Sequence, residues 1–312
     1  MKRLVNTLDM PKNQWLQFRK QGITGTDAAA ICSLSKYRSA LDVYQDKTSD
    51  LIEEFDNEYM AIGRQLESYV ADRFTDETGL KTRKCNAIMV NELHPIVMGN
   101  FDRLVIGEKA GLECKVVFPF SASINKWEDG GVPIEYKLQV LHYLACSNLD
   151  HWYVAGLILG KELVIRRIDR DEELISNLIA IEERFWNEHV VPKVAPPPDG
   201  SRNYSELLLK KFSESDKSKT VELIGVDKDL ERREEILEIM DRLEKEKLSI
   251  DQKIQLMLED SAYGVSSGYR VSWISTESKR LDSKLLKSEQ PEIYEKYSKQ
   301  CNSRRFTVKR AA

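Results

Sequence analysis

The sequence is short of the features that would place a chain in a membrane, outside a cell or around a metal cage. Its apolar runs, of which Val154 to Leu159 is one of the longest, fall far below the roughly 20 residues of a bilayer crossing. Two basic residues follow Met1, but no apolar stretch follows them as it would in a secretory leader. The expected compartment is therefore the cytoplasm, with no membrane partner. Cysteine is sparse: Cys32, Cys85, Cys114, Cys146 and Cys301 show no C-x-x-C spacing, and with only four histidines they build no zinc or iron–sulfur cage. They read as reduced thiols. No internal repeat or targeting motif is present.

What the chain does have is length and an uneven distribution of charge. At 312 residues it exceeds a minimal domain and has room for a sizeable core and a second unit. The formal net charge is −4, yet residues 1–40 carry seven basic side chains against two acids, and residues 296–312 carry six basic side chains and no acid. Both ends are basic and the acids gather between them. Local field rather than net charge decides which polyions a surface attracts.

A break in organisation falls at Pro192 to Asn203, where three successive prolines favour an extended polyproline segment. The expected division is a first domain over 1–195, a Pro-rich linker over 196–203 and a second domain over 204–312. In the first domain the apolar period alternates between helix and strand. Asn57 to Thr78 reads as an amphipathic helix; Ala87 to Val90, Ile96 to Ile106 and Gly111 to Phe118 read as strands. Glu135 to Cys146 reads as a helix, Trp152 to Leu159 and Leu163 to Ile168 as strands, and Asp171 to Val190 as a closing helix. This order predicts an α/β core with a mixed central sheet flanked by helices. Beyond the linker, Leu230, Leu237, Met240, Leu243, Ile250, Ile254 and Met257 recur at near-heptad spacing, predicting a long coiled-coil-like helix. A strand over Tyr269 to Ile274, a helix over Glu292 to Gln300 and a basic strand over Arg304 to Lys309 would complete a helical α+β extension.

The chemistry concentrates at Asp102 and at Glu113-Cys-Lys115. Residues two apart in a strand share a face, so Glu113 and Lys115 project together and Cys114 points away. Two converging carboxylates suit a hard cation such as magnesium. The same spacing also fits an ordinary cross-strand ion pair. Glu67, beside the apolar stripe of its helix, could face the same cleft or simply be solvated. Gln139 and Tyr143, four apart, share one face of the next helix. Near the N-terminus, Arg19 supplies a guanidinium and Thr26 a hydroxyl at the start of a helix over Asp27 to Ile31, which Thr26 is expected to cap.

These residues come in a recognisable order: Trp15-x3-Arg19, Gly22-Ile-Thr-Gly-Thr26-Asp27, Gly63-Arg-x2-Glu67, His94-Pro, Asp102, Glu113-x-Lys115 and Gln139-x3-Tyr143. The set, running from Trp15 to about Pro192, resembles the YqaJ-like viral recombinase family, which includes lambda exonuclease. The resemblance implies a PD-(D/E)xK restriction-endonuclease-like core and a magnesium-dependent 5′-to-3′ exonuclease on double-stranded DNA ends, with manganese able to substitute. It implies 3′ single-stranded tails for recombination by single-strand annealing, an annealing protein as partner, and a homo-oligomer, a trimer by kinship. Carried over, Asp102, Glu113 and the main-chain carbonyl of Cys114 would ligate metal, and Glu67 would complete a second metal position. Two ions about 3.5 to 4 Å apart can stabilise the attacking and leaving oxygens of an in-line displacement. Lys115 would orient and deprotonate the attacking water, and Gln139 would position that lysine or the scissile phosphate. Arg19 and Thr26 would hold the terminal 5′ phosphate, while Trp15 and Tyr143 are candidate DNA contacts. A phage-encoded chain would work in the bacterial cytoplasm. Two rival readings share these residues: an endonuclease of the same fold, and a catalytically silent DNA-end-binding scaffold.

Overall fold

The computed structural model describes the chain apart from residues 53–55, 120, 122–123, 128–129, 300–303 and 311–312. Cys301 and the last residue of the helix expected over Glu292 to Gln300 lie outside the described residues. Two compact units result, Met1–Lys210 and Lys211–Ala312.

The first unit begins with β1 (Lys2–Asn6), α1 (Lys12–Arg19), α2 (Gly25–Ile31), α3 (Ala40–Thr48) and α4 (Glu58–Thr78). It continues through β2 (Thr82–Lys84), β3 (Ala87–Val90), β4 (Met98–Asn100), β5 (Arg103–Val105) and β6 (Ala110–Val117), and a 3-10 turn, Ile124–Trp127. Then come α5 (Ile134–Cys146), β7 (His151–Ile158), β8 (Glu162–Asp169), α6 (Glu172–Phe185) with a π turn at Trp186–Val190, and α7 (Arg202–Lys211). The main sheet has the order β2-β5-β6-β7-β8, parallel only between β6 and β7, with α5 in the crossover between them. A smaller antiparallel sheet has the order β1-β3-β4. This is the expected mixed sheet flanked by helices.

The pleat of the main sheet decides which helix covers which side. Leu112, Ala155, Leu157 and Leu163 pack with Val70, Ala71 and Phe74 of α4, whereas Trp152 and Val154 pack with Val140, Leu141 and Leu144 of α5 and Ile175 and Leu178 of α6. Helix α4 starts where expected because the Asn57 side chain accepts from Met60 N at 2.9 Å, and it stops at Gly79, whose φ of +74° suits glycine. The closing helix is α6, capped by Asp171, and its last turn widens into the π turn.

One expected strand is two. The run from Ile96 to Ile106 is divided into β4 and β5, which belong to different sheets. Phe101 turns inward between them and packs edge-on against Trp152 and Tyr143, at centroid separations of 4.8 and 5.1 Å. Gly99 leaves space for that ring, since a Cβ there would lie 2.4 Å from Phe101 Cε1. The Pro-rich segment lies within the first unit. Tyr44 donates its hydroxyl to the Lys193 carbonyl at 2.9 Å, and Asn203 donates to Asp42 at 2.7 Å.

In the second unit, α8 (Asp227–Leu258) carries the predicted long helix and leaves Leu237, Met240, Leu243 and Ile250 exposed. Strands β9 (Tyr263–Val265) and β10 (Arg270–Ser272) form a hairpin that packs Gly264 against Leu258, and α9 (Ser283–Glu289) and α10 (Pro291–Tyr297) follow. Arg304 to Lys309 do not form the expected strand. Arg304 instead donates to the Phe212 carbonyl at 2.9 Å, and the nearby Arg310 pairs with Glu234 of α8 at 2.6 Å. Among the described residues, no helix is long and apolar enough to cross a membrane.

Candidate active site

Strand β6 builds the centre of the site. Alternation turns Leu112 and Cys114 toward α4, and Glu113 and Lys115 toward α5, as the spacing requires. Glu113 is only 3% exposed. Its Oε1 accepts from Lys115 Nζ at 2.6 Å and from Gln139 Nε2 at 2.7 Å. Gln139 closes a triangle by accepting from Lys115 Nζ at 3.0 Å, and its amide also donates to the Tyr143 hydroxyl at 2.7 Å. The Lys115 ammonium lies 4.8 Å from the ring centroid of Tyr136, a cation–π contact. Glu113 Oε2 is buried and has no hydrogen-bond partner.

Asp102, at the break between β4 and β5, reaches the same strand. Its Oδ2 accepts from the backbone N–H of Cys114 at 2.8 Å, so a side chain takes a donor at the edge of the β5–β6 ladder. Burial first, then the neighbouring Glu113 and Glu67 carboxylates, push the Asp102 carboxyl well above its usual range, against the opposing pull of Lys115. Burial works against the Lys115 ammonium, but Glu113 and Asp102 outweigh it and hold the lysine above its ordinary value. Burial raises the Tyr143 phenol strongly, with Glu113 and Asp102 adding to it.

This is an environment short of positive charge. An unpartnered buried oxygen on Glu113 and a disfavoured charge on Asp102 both fit a hard divalent cation. Among the described residues, no three His, Cys, Asp or Glu side chains form a cation-holding group. Two carboxylates with a main-chain carbonyl suit magnesium, which keeps several waters, better than a closed zinc cage. Glu67, expected at a second metal position, lies beside Asp102 and is held there by Arg103, whose Nη1 donates to Glu67 Oε1 at 2.5 Å and to the Asp102 carbonyl at 3.0 Å. Tyr143, expected as a DNA contact, is 4% exposed. It touches the site through Gln139.

The N-terminal helices supply a second cluster. Arg19 Nη2 donates to Thr24 Oγ1 at 3.1 Å and to Thr26 Oγ1 at 3.2 Å, and its guanidinium stacks 4.4 Å from the Trp15 ring. Trp15 is half-buried, packed toward Ile88, Val90 and Met98. Thr26 is exposed and does not cap α2. The cap is Thr24, in a box with Asp27, whose Oδ2 accepts from Thr24 N at 2.9 Å. Thr26 Oγ1 accepts from Arg19 and is not used in that box. Gly25 joins the two clusters, for a Cβ there would lie 2.6 Å from Tyr143 Cε1 and 3.0 Å from Gln139 Cγ.

Asp27 is the residue that sequence reasoning missed at this end. Fully buried, it pairs with Arg38 and with Lys47 Nζ at 2.9 Å. Burial alone would raise its carboxyl, but Lys47, Arg38 and Arg19 together hold it well below the usual carboxylate range. Part of the N-terminal basic excess is thus internal: Arg38 holds Asp27, and Lys20 donates to the carbonyls of Asp46, Ser49 and Leu51. Arg103 was also missed. Its signal was the two-residue spacing from Val105, which places a charged residue on a buried strand face. The Thr24-x-x-Asp27 spacing was the signal for the cap.

Comparison with known proteins agrees with this architecture. The YqaJ-like viral recombinase domain matches residues 14–150. The uncharacterized protein YqaJ of Bacillus subtilis (strain 168) is 33% identical over 310 residues, covering 98% of this chain and 97% of that protein. The crystal structure of an alkaline exonuclease, LHK-Exo, from Laribacter hongkongensis matches with a TM-score of 0.50 at 18% identity, over 64% of this chain and 98% of that one. LHK-Exo in complex with dAMP matches with a TM-score of 0.50 at 19% identity, over 64% and 97%. The chain therefore shares the fold of LHK-Exo and belongs to the YqaJ-like viral recombinase family.

Proposed function

We propose that this protein is a magnesium-dependent 5′-to-3′ exonuclease that resects duplex DNA ends and leaves 3′ single-stranded tails for recombination by single-strand annealing. The observation that carries the reading is the buried, unpartnered Oε2 of Glu113 beside a destabilised Asp102 charge. Family membership and the shared fold with LHK-Exo support it. Asp102, Glu113 and the Cys114 carbonyl would hold the ion, which supplies a Lewis acid for the phosphate and lowers the pKa of bound water. Lys115, fixed by Glu113 and Gln139, orients the attacking water. Gln139 keeps Lys115 and Glu113 in register and is itself held by Tyr143. Arg19 and Thr26 offer a guanidinium and a hydroxyl to a terminal 5′ phosphate. A second ion at Glu67 would bind through Oε2 while Arg103 holds Oε1.

Digestion of a linear duplex labelled at the 5′ or the 3′ end, with magnesium or with EDTA, tests the reading. Magnesium-dependent loss of 5′ nucleotides by the wild type, abolished in Lys115→Ala and Glu113→Ala, is expected. DNA binding without cleavage by the wild type would instead identify an end-binding scaffold. Internal cuts in a circular duplex would identify an endonuclease.

A further inference from the structure

Among the described residues, three buried side-chain N–H donors have no acceptor, the indole Nε1 of Trp127, the indole Nε1 of Trp152 and Nε of Arg166, and the first and last belong to residues that line one cavity. Trp127 is 2% exposed. The other arginine nitrogens are fixed, Nη1 on the Ile165 carbonyl at 3.1 Å and Nη2 on the Trp127 carbonyl at 3.0 Å. Trp127 and Arg166 line one cavity of about 310 Å³, with Lys161 adding an ammonium and Ile124 and Leu163 adding apolar wall. Among the described residues, the carboxylate lining it is that of Glu162, 3.4 Å from Lys161. A single ordered water accounts for roughly 30 Å³ of liquid volume, so the space greatly exceeds one water.

The cavity adjoins the face that carries the candidate site. Trp127 packs over Gly156, where a Cβ would come 2.6 Å from its ring, and Gly156 lies beside Lys115 in the β6–β7 register. The Trp127 ring is 6.0 Å from that of Tyr136, which covers Lys115. Buried donors without acceptors select a ligand rich in acceptor oxygens, and a fixed guanidinium beside a second N–H selects an oxyanion. The apolar wall suits an attached sugar or base.

We propose that this cavity is a subsite for the phosphate of a nucleotide, separate from Asp102 and Glu113 and from Arg19 and Thr26. The identity of the ligand rests on the nuclease reading. Two sources share this chemistry: the DNA strand itself and the mononucleotide released from it.

The test follows indole N–H resonances of the full-length Lys115→Ala protein labelled with ¹⁵N-tryptophan, in EDTA, with the Trp127 signal assigned by Trp127→Phe. Inorganic phosphate, dAMP and a short single strand lacking a 5′ phosphate are titrated separately. A saturable downfield shift of the Trp127 resonance is expected. Arg166→Lys, which keeps the charge and removes Nε–H, should weaken it at least tenfold while the other four tryptophan signals stay in place. A shift with dAMP but not with the strand assigns the site to the released nucleotide; a shift with the strand assigns it to DNA. No saturable shift with any of the three, or one that Arg166→Lys leaves unchanged, overturns the proposal. Cleavage is silenced throughout, so nuclease activity without this shift sinks the subsite alone. An intact shift in a protein whose wild type cannot cut DNA sinks the nuclease alone.

Discussion

Gly25→Ala places two opposing effects at one atom. A glycine-to-alanine change in a helix ordinarily gains about 1 kcal/mol, and Gly25 is the first residue of α2. Here the new methyl would sit 2.6 Å from Tyr143 Cε1 and 3.0 Å from both Tyr143 Cζ and Gln139 Cγ. The ring cannot yield, because Tyr143 is itself packed against Phe101 and Trp152 at 5.1 and 5.2 Å. Overpacking of this kind costs about 1 to 3 kcal/mol. The propensity gain is smallest at a helix end, so overpacking wins by roughly 1 to 2 kcal/mol. For a unit of this size that lowers Tm by about 2 to 8 °C. The same displacement moves Gln139 away from Lys115 and Glu113, and a loss of about 10- to 100-fold in kcat is expected from misplacement on this scale. Thermal unfolding and end-digestion rates measure the two losses. Tyr143→Leu, which removes the clashing ring atoms, should make the added methyl less costly in the double variant than in the wild type. A Gly25→Ala protein as stable and active as the wild type would refute the reasoning.

Asp102→Asn should raise Tm in EDTA at neutral pH by a few degrees while abolishing cleavage. The raised Asp102 pKa means that its contribution to stability is full below the ordinary carboxylate pKa and is lost as pH rises from there through the raised pKa of the folded state; a lower Tm than wild type would contradict this. By the same logic, magnesium should raise the Tm of the wild type more than that of Asp102→Asn. Asp27 has the opposite sign. Its depressed pKa contributes stability that is present above about pH 4 and lost on acidification below it. Asp27→Asn leaves Lys47 and Arg38 without their buried anion, a loss of about 3 to 5 kcal/mol by denaturant unfolding. Its unfolding free energy should also depend less on pH below 4 than that of the wild type. Thr24→Val should cost about 1 kcal/mol as a lost cap, whereas Thr26→Val should leave Tm nearly unchanged and reduce the preference for 5′-phosphorylated ends. Equal effects of the two substitutions on both readouts would dissolve the distinction between cap and ligand.

Periodicity made one level of this structure legible. It placed Glu113 and Lys115 on one face of β6, located α4 at nearly its observed ends, and put Gln139 and Tyr143 on a common helical face, because each of these follows from spacing within a single element. Contacts between distant elements have no such signature. Lys47 meets Asp27 across the α2–α3 connection, and Arg103 reaches back 36 residues to Glu67. Neither pairing could be read from local sequence. The break at Phe101 was hidden for a related reason: its cause is an aromatic cluster drawn from β7 and α5, not a turn residue in its own segment. In the second unit the heptads foretold α8, but the basic terminal run was mistaken for a strand because its arginines act through side chains.

The two acids at the heart of the first unit show why burial alone does not identify a functional carboxylate. Asp27 and Glu113 are comparably inaccessible, and both accept hydrogen bonds. Asp27 draws two cationic side chains and the N–H and hydroxyl of Thr24, so the chain itself neutralises its charge and satisfies its oxygens. Glu113 draws one ammonium and one amide onto a single oxygen, leaves the other without a donor, and shares Lys115 with an Asp102 whose charge is already disfavoured. An unsatisfied buried carboxylate oxygen is a standing cost to folding that any apolar replacement would avoid. Glu182 also carries a buried oxygen without a partner, so it is the second acid beside Glu113 that sets it apart, and the divalent cation proposed above would account for its retention. Adding magnesium to the wild type and to Glu113→Gln tests this directly: the ion should stabilise the first and not the second. Equal stabilisation of both would return Glu113 to the class of structural acids that Asp27 represents.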